Sequence, residues 1–353
     1  MPAISEKTAI LFTGATGYIG GSVLQKILQH SEANTFEITA LVRDAGKAQI
    51  LETKFGVKAV VGSMEELDKL TELAEKAHIV VQVANADDDS MMSALLAGLR
   101  KRHEKTGDVP ILIHTSGVGS WADGAGGEYA SERVVSDLDI ETFDALPVTA
   151  AHRSVDILAC KADSEGYVRT YLVLPSAVVG YGEGPLYEAG ISKRPSVLVP
   201  LLAEIAAKRG RPGVMGSGKN IWAIIHVEDN ADLTYRLFSA ALTDTSTLAH
   251  GREGYYLTEN GEVTLYELCK AIGTALVAEG VATGAEPTVL TPEERVKYFG
   301  AEAYASLFFS NVRCRADRGR RDLGWTPKHP KEEIWKEVED VVKELANKLK
   351  KSV

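Results

Sequence analysis

Gly14, Gly17 and Gly20 are the first residues of this chain whose types and spacing imply chemistry. They punctuate the stretch Thr13-Gly14-Ala15-Thr16-Gly17-Tyr18-Ile19-Gly20. A turn without Cβ atoms lets backbone N–H groups approach a pyrophosphate. A helix starting there adds unpaired N–H groups and a positive dipole end. The neighbouring residues supply that setting. Ala9-Ile10-Leu11-Phe12 reads as a buried strand, and Gly21 to Leu28 carries apolar residues at helical spacing. Strand, glycine turn and helix are the context that a dinucleotide-binding fingerprint requires.

The rest of the first half repeats the alternation of strand and helix that positions such a turn. Phe36 to Val42 is the second strand, and Arg43-Asp44 follows it directly. The end of this strand faces the adenosine ribose in a dinucleotide fold. An acidic residue there suits NAD(H), whereas a guanidinium pairs with a 2′-phosphate and stacks on adenine. Arg43 therefore favours NADP(H), with Lys47 as a second phosphate contact. Asp44 is the alternative, favouring NAD(H), if the strand runs one or two residues further. Val57 to Ser63 is the third strand; Ser63 either contacts the adenine or caps a helix from Met64 to Lys76. His78 to Ala84 is the fourth, with Ala84-Asn85-Ala86 at its end. Asp87-Asp88-Asp89 begins the next helix, where acids suit the positive dipole end, rather than forming a metal site.

Gly14, Gly17 and Gly20 give G-x-x-G-x-x-G, and the whole stretch resembles the fingerprint of the short-chain dehydrogenase/reductase superfamily, in its extended branch of epimerases and dihydroflavonol-type reductases. Later segments extend the resemblance over nearly the whole chain: Pro110 to Gly117, Leu174-Pro175-Ser176, Gly180-Tyr181-Gly182, Ile224 to Asp232, and Leu323-Gly324-Trp325-Thr326-Pro327. The resemblance implies an α/β fold, a Rossmann doubly wound parallel sheet with a smaller, discontinuous C-terminal substrate lobe. The nucleotide domain would take residues 1–182 and about 222–258, and the lobe about 183–221 and 259–353. Implied cofactor contacts are Gly14, Thr16, Gly17, Tyr18, Ile19, Arg43, Ser63, Ala84, Thr115, Pro175 and Ser176. Ser116, or Thr115 beside it, would hold the substrate oxygen. His226 would be structural. Gly117 to Gly127 would form a wall of the active site.

The superfamily's working pair is Tyr-x-x-x-Lys, on the helix before the strand Tyr167–Ser176. The corresponding helix runs from about Thr149 to Asp163. Its Lys position falls on His152 and its Tyr position on Val148, so the pair is missing. The chain resembles atypical members, several of them fungal, that keep the cofactor fold with His-Arg in this helix. Two residues are candidates to replace the pair. An imidazole suits either general acid catalysis or a cofactor ribose contact, which makes His152 the first. Tyr129 heads a Tyr-x-x-x-Arg sequence with Arg133, but lies far ahead of the expected helix. Tyr181 and Tyr187 are further hydroxyls able to lean over the site.

The chain has 353 residues, 45% hydrophobic and 25% charged, enough for a large core. A net charge of −10 argues against nucleic acid or an anionic membrane as partner. Met1 to Lys7 is too short and polar for a signal peptide. Cys160, Cys269 and Cys314 form neither a disulfide framework nor a zinc spacing. A cytoplasmic location fits, with a small-molecule substrate. Ile334, Val338, Val341, Leu345 and Leu349 make one face of a last helix, a core or dimer contact that leaves monomer and homodimer open. The expected function is an NADP(H)-dependent oxidoreductase acting on a small carbonyl or alcohol. Alternatives are an epimerase or dehydratase with tightly held NAD(P), and a non-catalytic NADP-sensing regulator of the NmrA type.

Overall fold

The computed structural model describes residues 7–243 and 247–351. Residues 1–6, on which the reading of the N-terminus falls, lie outside them. Seven parallel strands make the main sheet: β1 (Thr8–Thr13), β2 (Phe36–Val42), β3 (Lys58–Val61), β4 (Ile79–Gln82), β5 (Ile111–Thr115), β6 (Arg169–Pro175) and β7 (Tyr255–Thr258). Their order is β7-β6-β5-β4-β1-β2-β3. Central strands such as β4 and β6 are almost wholly buried, as continuous apolar runs covered on both faces must be. The helices that cover them include α1 (Tyr18–Leu28), α2 (Ala45–Phe55), α3 (Leu67–Lys76), α4 (Asp89–Thr106) and α5 (Arg153–Ser164).

The chain runs outward from β1 to β3, then returns to place β4 on the other side of β1. That reversal opens a crevice at the carboxyl ends of β1 and β4, where α/β sheets of this kind bind ligands. Two helix starts differ from the sequence reading. α3 begins at Leu67, because Ser63 to Glu66 form a turn in which the Glu66 carboxylate accepts the Ser63 N–H at 2.6 Å. Ser63 therefore does not cap the helix. α5 begins at Arg153, because residues 150–152 are turns.

The smaller lobe has a three-stranded sheet of Ala177–Val179, Ile221–His226 and Glu262–Thr264. Helices Leu198–Arg209, Leu265–Ala278 and Glu333–Lys350 pack around a second core that includes Leu202, Leu268, Ile272, Val338 and Val342. Leu186 and Ile191 join the first core, as do Val312, Cys314, Ala316 and Trp325. For Cys314 and Trp325 the cause is contact between segments distant in sequence. The short strand Cys314–Arg315 runs beside Val135–Ser136, and the Trp325 indole N–H donates to the Asp229 carbonyl at 3.1 Å. The last helix is tied to the cleft by the buried Glu337 carboxylate, which accepts N–H groups from Gly180 (2.7 Å) and Ser196 (3.1 Å).

Candidate active site

The three glycines of the turn have different tasks. Gly14 has φ +82, and a Cβ on it would lie 2.7 Å from the Val83 carbonyl. A Cβ on Gly20 would lie 2.0 Å from the Gly14 oxygen. Both are needed for close packing of the turn, β4 and α1. Gly17 is different: its Cβ would meet only the Gly14 oxygen, at 3.1 Å. Gly17 is also the N-cap of α1 and supplies no side-chain cap. The N–H groups of Tyr18, Ile19 and Gly20 have no hydrogen-bond partner among the described residues, so the helix start presents bare donors. Thr16, half-buried, completes the turn. The Tyr18 side chain faces away from it, donating its hydroxyl to the Gly180 carbonyl at 2.5 Å. What Tyr18 offers a ligand here is its backbone.

At the adenosine end β2 stops at Val42. Asp44 caps α2, its carboxylate accepting the Lys47 N–H at 2.9 Å. Lys47 donates its ammonium to the Ile191 carbonyl at 2.7 Å, so each group already holds one partner of its own. Arg43 is exposed and makes no hydrogen bond or ion pair among the described residues. Ser63, half-buried, follows β3 next to it. Ala84 lies beside Gly14.

At the other end, buried hydroxyls stand without partners at or just beyond three strand ends: Thr13 on β1, Ser116 after β5 and Ser176 after β6. Thr115 and Pro175 are the strand-terminal residues beside the last two. Native proteins rarely leave such groups unmatched, and here three lie at the carboxyl ends of strands of one sheet. Below them lies a buried polar layer. The His114 Nδ1 meets the Gln82 Oε1 at 2.5 Å, and burial pushes the imidazole down to about 3, so it stays neutral. Asp156 is fully buried, with Oδ1 unpartnered. Burial pushes its carboxyl up to about 7, against the Ser116 hydroxyl, His152 and Arg153, which favour the charged form. Ser116 stands beside it without a well-formed hydrogen bond. Arg153 donates to the Tyr255 hydroxyl at 2.8 Å.

His152 forms the rim. It is the N-cap of α5 and the only described residue other than glycine with a positive φ, +65°. Such a backbone costs about 1–2 kcal/mol for a side chain with a Cβ, and retained strain of this kind gathers at functional sites. Asp87 compensates. Its Oδ1 accepts both the His152 backbone N–H (3.0 Å) and the imidazole Nδ1 (2.7 Å). These bonds hold the Asp87 carboxyl below its ordinary value. With Nδ1 so engaged, Nε2 is the atom left to exchange a proton. The ring lies over Gly117, where a Cβ would come within 2.9 Å of Nε2.

Asp87 was not visible as a site residue in the sequence, and Gly117 was visible only as the start of the expected wall. A hint existed in Asp87-Asp88-Asp89: a helix start needs one capping acid, and Asp88 fills that role by accepting the Met91 N–H. Tyr129 does not join the group. It sits half-exposed on an irregular segment, its carbonyl held by Asn311 and its phenol weakened as an acid by Asp123. Tyr187 and Tyr181 are also placed elsewhere. Tyr187 is buried, donating to the Tyr18 carbonyl at 2.6 Å, and Tyr181 faces acids of the last helix. His226 stacks on His329 at 4.0 Å, a packing role. α5 carries no tyrosine, and its lysine, Lys161, is in the last turn. Among the described residues there is no cluster with metal-ligating geometry and no helix long and apolar enough to cross a membrane.

Bare donors at α1, a free cation after β2 and orphaned hydroxyls at the strand ends fit a nicotinamide dinucleotide. Fold and site together define a dinucleotide-binding α/β protein. Comparison with known proteins agrees. A family model described as NAD(P)H-binding matches residues 14–133. Oxidase ucsJ of Acremonium sp is 30% identical, over 96% of this chain and 98% of its own. An uncharacterized protein of Schizosaccharomyces pombe is 24% identical over 91% of this chain and 95% of its own. Among solved structures, dTDP-glucose 4,6-dehydratase from Bacillus anthracis, in complex with NAD, has a TM-score of 0.63 at 16% identity, covering 96% of this chain and 97% of that one. UDP-glucose 4-epimerase from Thermotoga maritima, with UDP-glucose, has 0.63 at 14%, covering 97% and 99%. The chain belongs to the same family as oxidase ucsJ and carries an NAD(P)H-binding domain, and its fold is that of the dehydratase and epimerase structures.

Proposed function

We propose that this protein is an NADP(H)-dependent oxidoreductase of an atypical extended type, acting on a small carbonyl or alcohol, with His152 in place of the usual Tyr-x-x-x-Lys pair. The observation that carries this reading is the Asp87–His152 pair at the crevice rim. Asp87 fixes the Nδ1–H tautomer, so Nε2 takes a proton from an alcohol or, protonated, gives one to a carbonyl oxygen. The unpartnered Ser116 hydroxyl donates to the same substrate oxygen. Gly17 and the start of α1 would hold the pyrophosphate, Arg43 the 2′-phosphate, and Thr115 and Ser176 the nicotinamide end. The bound cofactor supplies the hydride acceptor or donor. We further propose a cytoplasmic protein, monomer or homodimer, with a small molecule as its partner.

The test is NADPH consumption with a panel of aldehydes and ketones, comparing the wild type with His152→Asn. Turnover lost in the variant, with NADPH binding retained, supports the assignment. A second reading, the NADP-sensing regulator, is favoured by the absence of a tyrosine from α5. Tight NADPH binding with no turnover on any panel member would establish it. Exchange at a sugar carbon without net NADPH consumption would instead mark an epimerase.

A further inference from the structure

An apolar cavity of about 220 Å³ opens beside the cofactor turn. Ile19, in the first turn of α1, forms one side, and Ala177, next to Ser176, forms another. Val197, Leu198, Trp222 and Phe308 close it from the small lobe. None of its lining residues is charged. The polar tips of its aromatic walls are engaged elsewhere. The Trp222 indole N–H donates to the Phe308 carbonyl at 3.0 Å, and the Tyr18 hydroxyl to Gly180. The walls therefore present carbon.

We propose that this cavity is the subsite for an apolar part of the substrate, a substituted aromatic ring or a short branched hydrocarbon chain attached to the reacting carbonyl or alcohol carbon. The proposal rests on the oxidoreductase reading of the adjoining crevice. A sugar nucleotide needs cations or aimed N–H donors for its phosphates; none of the lining side chains is charged, and the N–H groups at the start of α1 are those that the proposed function gives to the cofactor. An apolar group needs only a dry surface of matching size. A protein cavity of about 150 Å³ takes benzene, so this one has room for a single substituted ring. Its contact with Ile19 and Ala177 places such a group beside the cofactor turn and the end of β6.

The test is calorimetric binding of 4-isopropylbenzaldehyde and of UDP-glucose to the full chain saturated with NADP⁺. Two variants probe the walls. Val197→Asp puts a charge on the rim, at a position 67% exposed and at a helix N-cap, where aspartate is well tolerated. Trp222→Leu removes one face. The expected result is aldehyde binding that weakens at least tenfold in Val197→Asp and in Trp222→Leu, unchanged NADP⁺ affinity, and no binding of UDP-glucose. UDP-glucose competing with the aldehyde overturns the proposal. So does a wild type that binds no aldehyde, or aldehyde affinity in both folded variants equal to that of the wild type. Turnover separates the two readings. Aldehyde binding that is sensitive to the variants but never turned over leaves the subsite and removes the oxidoreductase. Turnover with kcat/KM unaltered by either variant does the reverse.

Discussion

Asp87 grips His152 twice through one oxygen, at the backbone N–H (3.0 Å) and at the imidazole Nδ1 (2.7 Å). One carboxylate thus holds both a left-handed backbone and the orientation of the ring. The residues are far apart in sequence, one after β4 and one before α5. Their pairing couples the fold of the crevice to the proton-handling group.

The first prediction separates strain from chemistry at this residue. Asparagine tolerates the left-handed conformation better than histidine, so His152→Asn should be as stable as the wild type or more so in thermal unfolding. Turnover should nonetheless fall by roughly 100-fold or more if the imidazole moves the proton, with NADPH affinity little changed. Asp87→Asn should lower turnover while His152 remains, because the ring loses its charged anchor. In the reduction direction, wild-type turnover should fall as pH rises and the proton donor is lost. Full turnover in His152→Asn would remove the assignment.

Arg43 is predicted to set the cofactor preference. Its guanidinium is free, whereas Asp44 and Lys47 are engaged. NADPH should bind more tightly than NADH, and Arg43→Ala should cost the NADPH complex about 1.5–3 kcal/mol, the worth of a hydrogen bond to a charged group, leaving NADH nearly unaffected. Isothermal titration of both cofactors decides it. Equal or tighter NADH binding in the wild type would overturn the preference.

Two glycines of one motif should behave oppositely. Gly17→Val should fold, since its Cβ meets only one oxygen, at 3.1 Å, yet lose cofactor binding because the side chain occupies the approach to the bare N–H groups. Gly20→Ala should destabilise the fold, since its Cβ would lie 2.0 Å from the Gly14 oxygen; overpacking of this kind costs about 1–3 kcal/mol or more. Circular dichroism melts and NADPH fluorescence distinguish the two effects. Unchanged cofactor affinity in folded Gly17→Val would reduce the motif to a structural turn.

Two buried groups under the site should impose opposite pH dependences on stability. Asp156, raised to about 7, keeps its proton in the folded chain. Its contribution is therefore lost as pH rises from its unfolded value near 3.8 through 7. His114, lowered to about 3, stays neutral in the folded chain, so stability is lost as pH falls from 6.5 towards 3. Between about pH 4 and 6.5 the two slopes oppose each other. Relative to the wild type, the melting temperature of Asp156→Asn should gain with rising pH across that window, and that of His114→Gln should gain with falling pH. Parallel curves for all three proteins would show that neither group is held as described.

The sequence by itself determined the sheet and its cofactor turn. Local apolar runs specify buried strands, and Gly14, Gly17 and Gly20 specify a turn whatever surrounds them, because both signals lie within a few neighbouring residues. β2 ends at Val42 as its residues imply. Tertiary structure decided what depends on distant segments meeting. The sequence shows Asp87-Asp88-Asp89 as one acidic helix start; only folding assigns Asp88 to the cap and Asp87 to His152. Tyr129 has the right residue type but reaches Asp123 and Asn311 instead of the crevice, because no helix forms around it. Trp325 and Cys314 pack in the first core for the same reason, through contacts with Asp229 and Val135. Spacing along a chain fixes local geometry, whereas a pair such as Asp87 and His152 exists only where the packed sheet brings two loops to one edge.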